Sequence, residues 1–170
     1  MNNELATDIC LALGANLGDR AKNLGDAVKL LGEKIRVEKI SRRYETAPVG
    51  VVGQPLYLNG ALRGKTTLSA TELLAFCLDV EKRLGRQRPA PRWSARRIDI
   101  DLIFYGDEII DLPELQVPHP RYAERDFVLR PLNEIAPEWV CPRRRRTVAE
   151  LQLANDLRSA TGILAALPNQ

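Results

Sequence analysis

Four strand-like and two helix-like segments follow one another in the order β-α-β-β-α-β. That order predicts an α+β chain with a ferredoxin-like βαββαβ core, an antiparallel sheet with helices packed on one face, plus a C-terminal extension. Three observations carry the prediction. Residues 56–65 and 97–105 alternate apolar and polar with the period of a strand, two intervening stretches repeat apolar residues with the period of a helix, and no internal repeat or linker divides the chain. With 170 residues, 45% of them hydrophobic, the chain can bury a sizeable core, and one domain over 1–170 is expected, with its core at about 8–142 and an extension at 143–170.

Residues 8–14 (DICLALG) read as a short buried strand. Asn16 to Asp19 then opens a helix whose apolar stripe is Leu24, Ala27, Val28 and Leu31. Residues 35–45 read as one extended segment with a charged outer face, and 46–55 (TAPVGVVGQP) holds too much Pro and Gly for a regular element, so it reads as a long loop. The strand at 56–65 follows. Ser69 and Glu72 form a capping-box pattern before a helix with the stripe Leu73, Cys77, Val80 and Leu84, and Gly85 stands where a helix end is commonly closed. A second irregular stretch leads into RIDIDLIFY at 97–105. Its Ile98, Ile100, Leu102 and Phe104 are expected on the core side. Beyond it come Pro-rich turns, an apolar run at 127–132 and helical patterning from Thr147.

Composition excludes several classes. The apolar fraction and the net charge of +3 are unlike a disordered chain, and no stretch approaches the roughly 20 apolar residues of a membrane span. The N-terminus lacks the basic region of a signal peptide. Cys10, Cys77 and Cys141 are odd in number and widely spaced, so buried reduced thiols are expected, in a cytoplasmic protein. The positive charge is uneven: 19 Arg against 6 Lys, with a local net of +4 between Arg83 and Asp101. Arg is favoured over Lys where planar oxygens are gripped in pairs, and phosphate is the obvious partner.

Asp99 and Asp101 carry the strongest chemical signal. On a strand, residues i and i+2 share a face, and two such carboxylates repel unless a cation sits between them. Mg²⁺ held by one or two carboxylates plus substrate phosphates matches the pattern; a solvated acidic face is the alternative. Tyr57 and Asn59 likewise share a face, either to stack on and hydrogen-bond a planar heterocycle or simply as an exposed sheet surface. Gly64-Lys65-Thr66 lacks the earlier glycine of a phosphate-binding loop, and Gly14-x-x-x-Gly18 reads as a tight turn. His119, the single histidine, sits in Val-Pro-His-Pro and is either structural or catalytic; Arg143 to Arg146 reads as a solvated turn.

Together the segments LGANLGD (13–19), T-x-P-x-G from Thr46, QPLYLN (54–59), RWSARRIDIDLI (92–103), VPHPR (117–121) and ERDFVLRPL (124–132) resemble the 6-hydroxymethyl-7,8-dihydropterin pyrophosphokinases (HPPK) of folate biosynthesis, collinearly from about Ile9 to Pro142. The resemblance implies a ferredoxin-like enzyme that transfers pyrophosphate from ATP, as co-substrate, to the pterin hydroxymethyl group and releases AMP. It implies that Asp99 and Asp101 bind two Mg²⁺ ions and that Arg86 and Arg96 stabilise the reacting phosphates. The pterin would lie between Tyr57 and Phe127, with Asn59, Trp93 and the Thr46, Pro48, Val49 and Gly50 segment around it. Glu81, Arg88, Arg92, His119 and Arg125 match positions around ATP. Closure of loops 46–55 and 85–97 to exclude water is expected. Expected partners are these small molecules alone, without nucleic acid or membrane, for a monomeric protein. Ser94-Ala95 stands where the family usually has Gly-Pro, and Glu114 where some members carry Arg. A palm-type nucleotidyltransferase would also set paired Asp on such a sheet but would release pyrophosphate. An RNA-binding module of this fold class would need sheet-face aromatics that the chain lacks.

Overall fold

The computed structural model describes residues 5–87 and 94–165, with side chains to residue 160. Its central strand, β1 (Thr7–Ala15), pairs antiparallel on both sides, with β4 (Tyr57–Thr66) and with β5 (Asp99–Tyr105). β2 (Arg36–Ile40) and β3 (Tyr44–Thr46) both lie along the outer edge of β4, giving the sheet order β2-β4-β1-β5 with β3 beside β4. This is the antiparallel arrangement expected of the βαββαβ order.

The expected single segment at 35–45 is divided. At Ser41 the ladder is replaced by a side-chain bond: the Ala61 N–H donates to Ser41 Oγ at 2.9 Å while the Ser41 N–H donates to Ala61 O at 2.9 Å. Ser competes for backbone partners in this way, and the two short strands result.

Helix α1 (Arg20–Leu31) is capped by Asp19, whose Oδ1 accepts from the Lys22 N–H at 3.0 Å, and it buries Leu24, Ala27 and Leu31. Asn16 does not open this helix, as the sequence suggested; it is buried and bonded elsewhere. Gly14 lies inside β1, so the expected tight turn is confined to Gly18, at φ +65°. Helix α2 (Ala70–Arg83) has the predicted capping box, with both Ser69 and Glu72 bonds made. It ends in a Schellman pattern, the Arg86 N–H reaching Glu81 O and the Gly85 N–H reaching Lys82 O, which Gly85 permits by adopting φ +88°.

α1 and α2 cover one face of the sheet, where Ile9, Leu11, Leu13, Leu31, Leu62, Leu73, Val80, Ile100 and Leu102 form the main core. The other face is covered in part by the C-terminal region. A hairpin of β6 (Ile110–Asp111) and β7 (Gln116–Val117) leads to a 3₁₀ turn at Tyr122–Glu124, then to α3 (Asp126–Ile135) and α4 (Val148–Ala165). Leu129, Leu132, Ile135, Val148 and Leu151 pack there on Cys10, Ala12 and Ala61. α4 opens on a second reciprocal cap, Thr147 with Glu150. Phe104 belongs to this second core, not the first. The β1–β5 register slips between Cys10 and Leu11, so that Phe104 pairs with Cys10 while Leu102 pairs with Leu11. A bulge of this kind turns the following side chain to the other face. Phe104 then stacks on Trp139 with centroids 5.3 Å apart.

Arg143 to Arg146 form an exposed turn closed by the Val140–Thr147 bridge, and Arg143 pairs with Asp111 at 2.8 Å. All three cysteines are free and buried. Among the described residues no helix is long and apolar enough to cross a membrane.

Gly64 marks the tightest approach in the sheet: a Cβ there would lie 2.6 Å from Arg36 O and 2.8 Å from Ile35 Cγ2. Because backbone must move to admit it, Gly64→Ala is expected to lower stability by about 1–3 kcal/mol, read as an earlier urea midpoint. A midpoint equal to that of the parent chain would refute the close approach.

Candidate active site

At the end of the sheet where β1 finishes and β4 begins, Ala12, Gly14, Tyr57, Asn59, Asp99 and Asp101 line the floor of a cavity of about 680 Å³. The register sets its layout. Gly14 of β1 pairs with Asn59 on one side and Asp99 on the other, and Ala12 pairs with Asp101. The strand between the polar groups therefore carries almost no side chain. A Cβ at Gly14 would come 3.1 Å from Asn59 Oδ1 and 3.8 Å from Tyr57 Cδ1, narrowing the cavity at its middle. One wall is Thr46, Ala47, Pro48, Val49, Val51 and Gln54; the facing wall is Arg121, Glu124, Arg125, Asp126 and Phe127. Asn59 is buried, and its Nδ2 donates to Thr46 Oγ1 at 2.7 Å, which fixes the carboxamide.

The acidic end is built on a chain of ion pairs. Glu81, 1% exposed, accepts from the Ile100 N–H at 2.8 Å and holds Arg86 Nη1 at 2.6 Å. The same nitrogen donates to Asp99 Oδ1 at 2.6 Å, while Arg96 Nη1 reaches Asp99 Oδ2 at 3.0 Å. Asp99 thus has both oxygens matched by guanidinium. Asp101 is placed differently: burial, then the neighbouring Asp99 and Glu81 charges, push its carboxyl up to about 7. Two carboxylates on one face, one of them short of positive charge, suit a hard divalent cation. Among the described residues no group of three or more His, Cys, Asp or Glu could hold a metal alone. The pair would supply two oxygens, and phosphates and water the rest.

Two contacts tie the loops to this floor. Asn16, at the end of β1, accepts from the Arg96 N–H at 2.7 Å, donates its own N–H to Arg96 O at 3.0 Å, and donates Nδ2 to Gln54 Oε1 at 3.2 Å. It therefore joins the loop before β5 to the loop before β4. Arg20 donates to Leu56 O and to Glu45, each at 2.7 Å, pinning both ends of the second loop.

Of the residues the sequence singled out, Thr46, Pro48, Val49, Tyr57, Asn59, Arg96, Asp99, Asp101, Arg125 and Phe127 all line the cavity. The Arg125 guanidinium lies 5.8 Å from the Phe127 ring centroid. Gly50, at φ +75°, shapes the loop and is not on the wall, and Arg86 sits behind Asp99. Glu81 is not on the wall either: its Oε1 accepts from the Ile100 N–H and pairs with Arg86, which it anchors behind Asp99. His119 lines a separate recess of about 250 Å³ with Tyr122, Cys141 and Arg144. Burial and then Arg125 push its imidazole down to about 4, and its Nδ1 accepts from the Arg121 N–H at 3.2 Å. Arg88, Arg92 and Trp93 lie outside the described residues. Sequence reasoning read Gly14 as a turn and Asn16 as a helix start, and passed over Gln54 and the structural role of Glu81. The signal for Glu81 was present, an acid four residues after Cys77 on an apolar helical stripe. Nothing local marked Asn16.

The family model for 7,8-dihydro-6-hydroxymethylpterin-pyrophosphokinase (HPPK) matches residues 10–137. The 2-amino-4-hydroxy-6-hydroxymethyldihydropteridine pyrophosphokinase of Aquifex aeolicus is 40% identical over 156 residues, covering 92% of this chain and 97% of that protein. The protein of the same name from Bacillus subtilis is 45% identical over 127 residues, 74% of this chain and 75% of that one. The wild-type Plasmodium falciparum HPPK-DHPS structure with pteroate shares the fold, with a TM-score of 0.73 at 16% identity over 90% of this chain. This chain spans 43% of that longer one. With a family match over more than half its length and a relative at 40% identity along nearly all of it, the chain belongs to the HPPK family.

Proposed function

We infer that the chain transfers the terminal pyrophosphate of ATP to the hydroxymethyl oxygen of 6-hydroxymethyl-7,8-dihydropterin, giving the pterin diphosphate and AMP. The observation that carries this reading is the division of one cavity: a planar, amide-bearing half at Tyr57, Asn59 and Phe127 meets an acidic half at Asp99 and Asp101 across the bare Gly14. The first half suits a flat heterocycle with hydrogen-bonding edges, and the second suits a metal-bound polyphosphate.

Asp99 and Asp101 would hold two Mg²⁺ ions, which would supply positive charge against the phosphates during transfer. Tyr57 and Phe127 orient the ring, with Asn59 and the backbone near Thr46, Val49 and Gly50 reading its edge. With a cation held by Asp99, Arg86 and Arg96 would be the guanidiniums beside the phosphates, and Glu81 would keep Arg86 in place. His119 is neutral at pH 7, and because Nδ1 accepts a bond its proton resides on Nε2; from its neighbouring recess it would serve the nucleotide rather than the pterin. Arg125 lines the cavity, and the family resemblance assigns Arg88 and Arg92 to the nucleotide and Trp93 to the pterin. Positioning and charge neutralisation supply most of the acceleration in such a displacement. We assign the chain to one catalytic domain acting as a monomer in the cytoplasm.

Incubation with Mg²⁺, ATP and the pterin should yield AMP in step with pterin consumption. ADP, pyrophosphate or no turnover would sink the assignment. Asp99→Ala is expected to cut turnover by at least about a hundredfold with an unchanged far-UV spectrum.

The raised Asp101 carboxyl gives a pH prediction. In the folded, metal-free chain Asp101 keeps its proton up to about 7, whereas the unfolded chain releases it near 3.8, so this group lowers stability as pH rises through that window. Asp101→Asn should therefore raise the metal-free Tm at pH 8 by roughly 2–4 °C, corresponding to about 1 kcal/mol, while abolishing turnover. Mg²⁺ must displace that proton, so titration calorimetry near pH 6.5 should detect proton release on binding. Binding independent of pH between 6 and 8 would contradict the coupling.

A further inference from the structure

The helix beyond the matched family region has an unusual inner face. Gln152 and Asn155 of α4 are 5% and 8% exposed, although neighbouring inward positions Val148 and Leu151 are apolar. Buried amides are retained at a cost unless they are bonded. Both point at one carboxylate: Gln152 Nε2 donates to Asp126 Oδ1 at 3.0 Å and Asn155 Nδ2 donates to the same oxygen at 3.3 Å. Arg130 donates to the other Asp126 oxygen and, at 3.0 Å, to Asp156 Oδ1, which Gln152 Nε2 also reaches at 2.9 Å. Gln152 Oε1 has no partner among the described residues, so the amide is oriented wholly for its donor end. One turn further, Arg158 Nη2 donates to Asn155 Oδ1 at 3.2 Å and to Ala123 O at 3.5 Å.

Asp126 is the first residue of α3, and that helix starts without a side-chain cap, its N-cap being Arg125. The clamp from α4 therefore holds this uncapped helix start by the Asp126 side chain, at the point where Arg125, Asp126 and Phe127 enter the cavity wall. We propose that α4, through Gln152 and Asn155, is a positioning element for the pterin end of the site: it fixes Asp126 and thereby the angle at which Phe127 faces Tyr57. This deepens the proposed function and rests on it for the identity of the affected substrate. The metal carboxylates lie on β5, which these α4 bonds do not touch, so the effect falls chiefly on the pterin, with Arg125 the one ATP-side residue on the clamped wall.

The test uses the full chain with Gln152→Met and Asn155→Leu, singly and together. The pterin KM should rise about tenfold, as expected for displaced positioning groups, several times more than the ATP KM, with kcat within about twofold. Hydrogen exchange at the Val128 and Leu129 amides, both bonded to Arg125 O, should quicken. Combining Gln152→Met with Asp126→Ala should raise the pterin KM no further than Asp126→Ala alone. A lower Tm with both KM values and the exchange unchanged, equal loss for both substrates, or multiplying effects would each overturn the proposal. If Gln152→Met does not fold, Asn155→Ser decides by the same readouts. Should the parent chain produce no AMP, the function falls, yet the exchange measurement, which needs no substrate, still decides whether the clamp exists.

Discussion

Two carboxylates on one face of β5 set the constraint around which the molecule is arranged. A sheet in a two-layer fold can bury both faces, but a helix laid over Asp99 and Asp101 would strand charge in an apolar contact at a cost of several kcal/mol. α3 and α4 accordingly cover only the part of that face lined by Cys10, Ala12, Ala61 and Phe104. The other part stays open as the cavity floor. The change of coverage coincides with the bulge in β5, which turns Phe104 into the second core just past the acids.

The acids are held by charge drawn from distant parts of the chain. Glu81 carries its charge from α2 into the protein because the Ile100 N–H and Arg86 donate to it there, and Arg86 arrives because Gly85 reverses the chain at the helix end. Asp99 is neutralised from two sides and Asp101 less so, which leaves adjacent carboxylates of unlike character. Unlike environments for paired carboxylates are what a site needs if one group is to exchange guanidinium for metal while the other waits for a cation. The arginine excess of the chain has a place in this scheme: Arg86 and Arg96 are fixed at the acids, and the Arg143–Arg146 turn lies apart on the surface.

The opposing wall depends on the C-terminal region. Phe127 and Arg125 enter the cavity from the start of α3, and that start is secured by side chains of α4 instead of a cap of its own. The loop wall is secured differently, by Asn16 and Arg20 reaching from the ends of β1 and α1. A planar substrate half would thus sit between two walls with separate supports, both ending on the same sheet face.

Read alone, the sequence determined the strands and helices of the core, the capping box at Ser69, the shared face of Asp99 and Asp101, and the shared face of Tyr57 and Asn59. Each follows from a period or a cap a few residues long, which local stereochemistry dictates. Family motifs named most of the cavity wall. What only the tertiary structure decided were features that rest on contacts between residues far apart in the chain: the split of 36–46 by Ser41 bonding to Ala61, the turn of Phe104 to the second core, the burial of Asn16, and the anchoring of Arg86 by Glu81. Periodicity fixes which side a residue takes within one element. Which groups meet across elements depends on register and packing, and a one-residue slip in register reassigns every side chain beyond it.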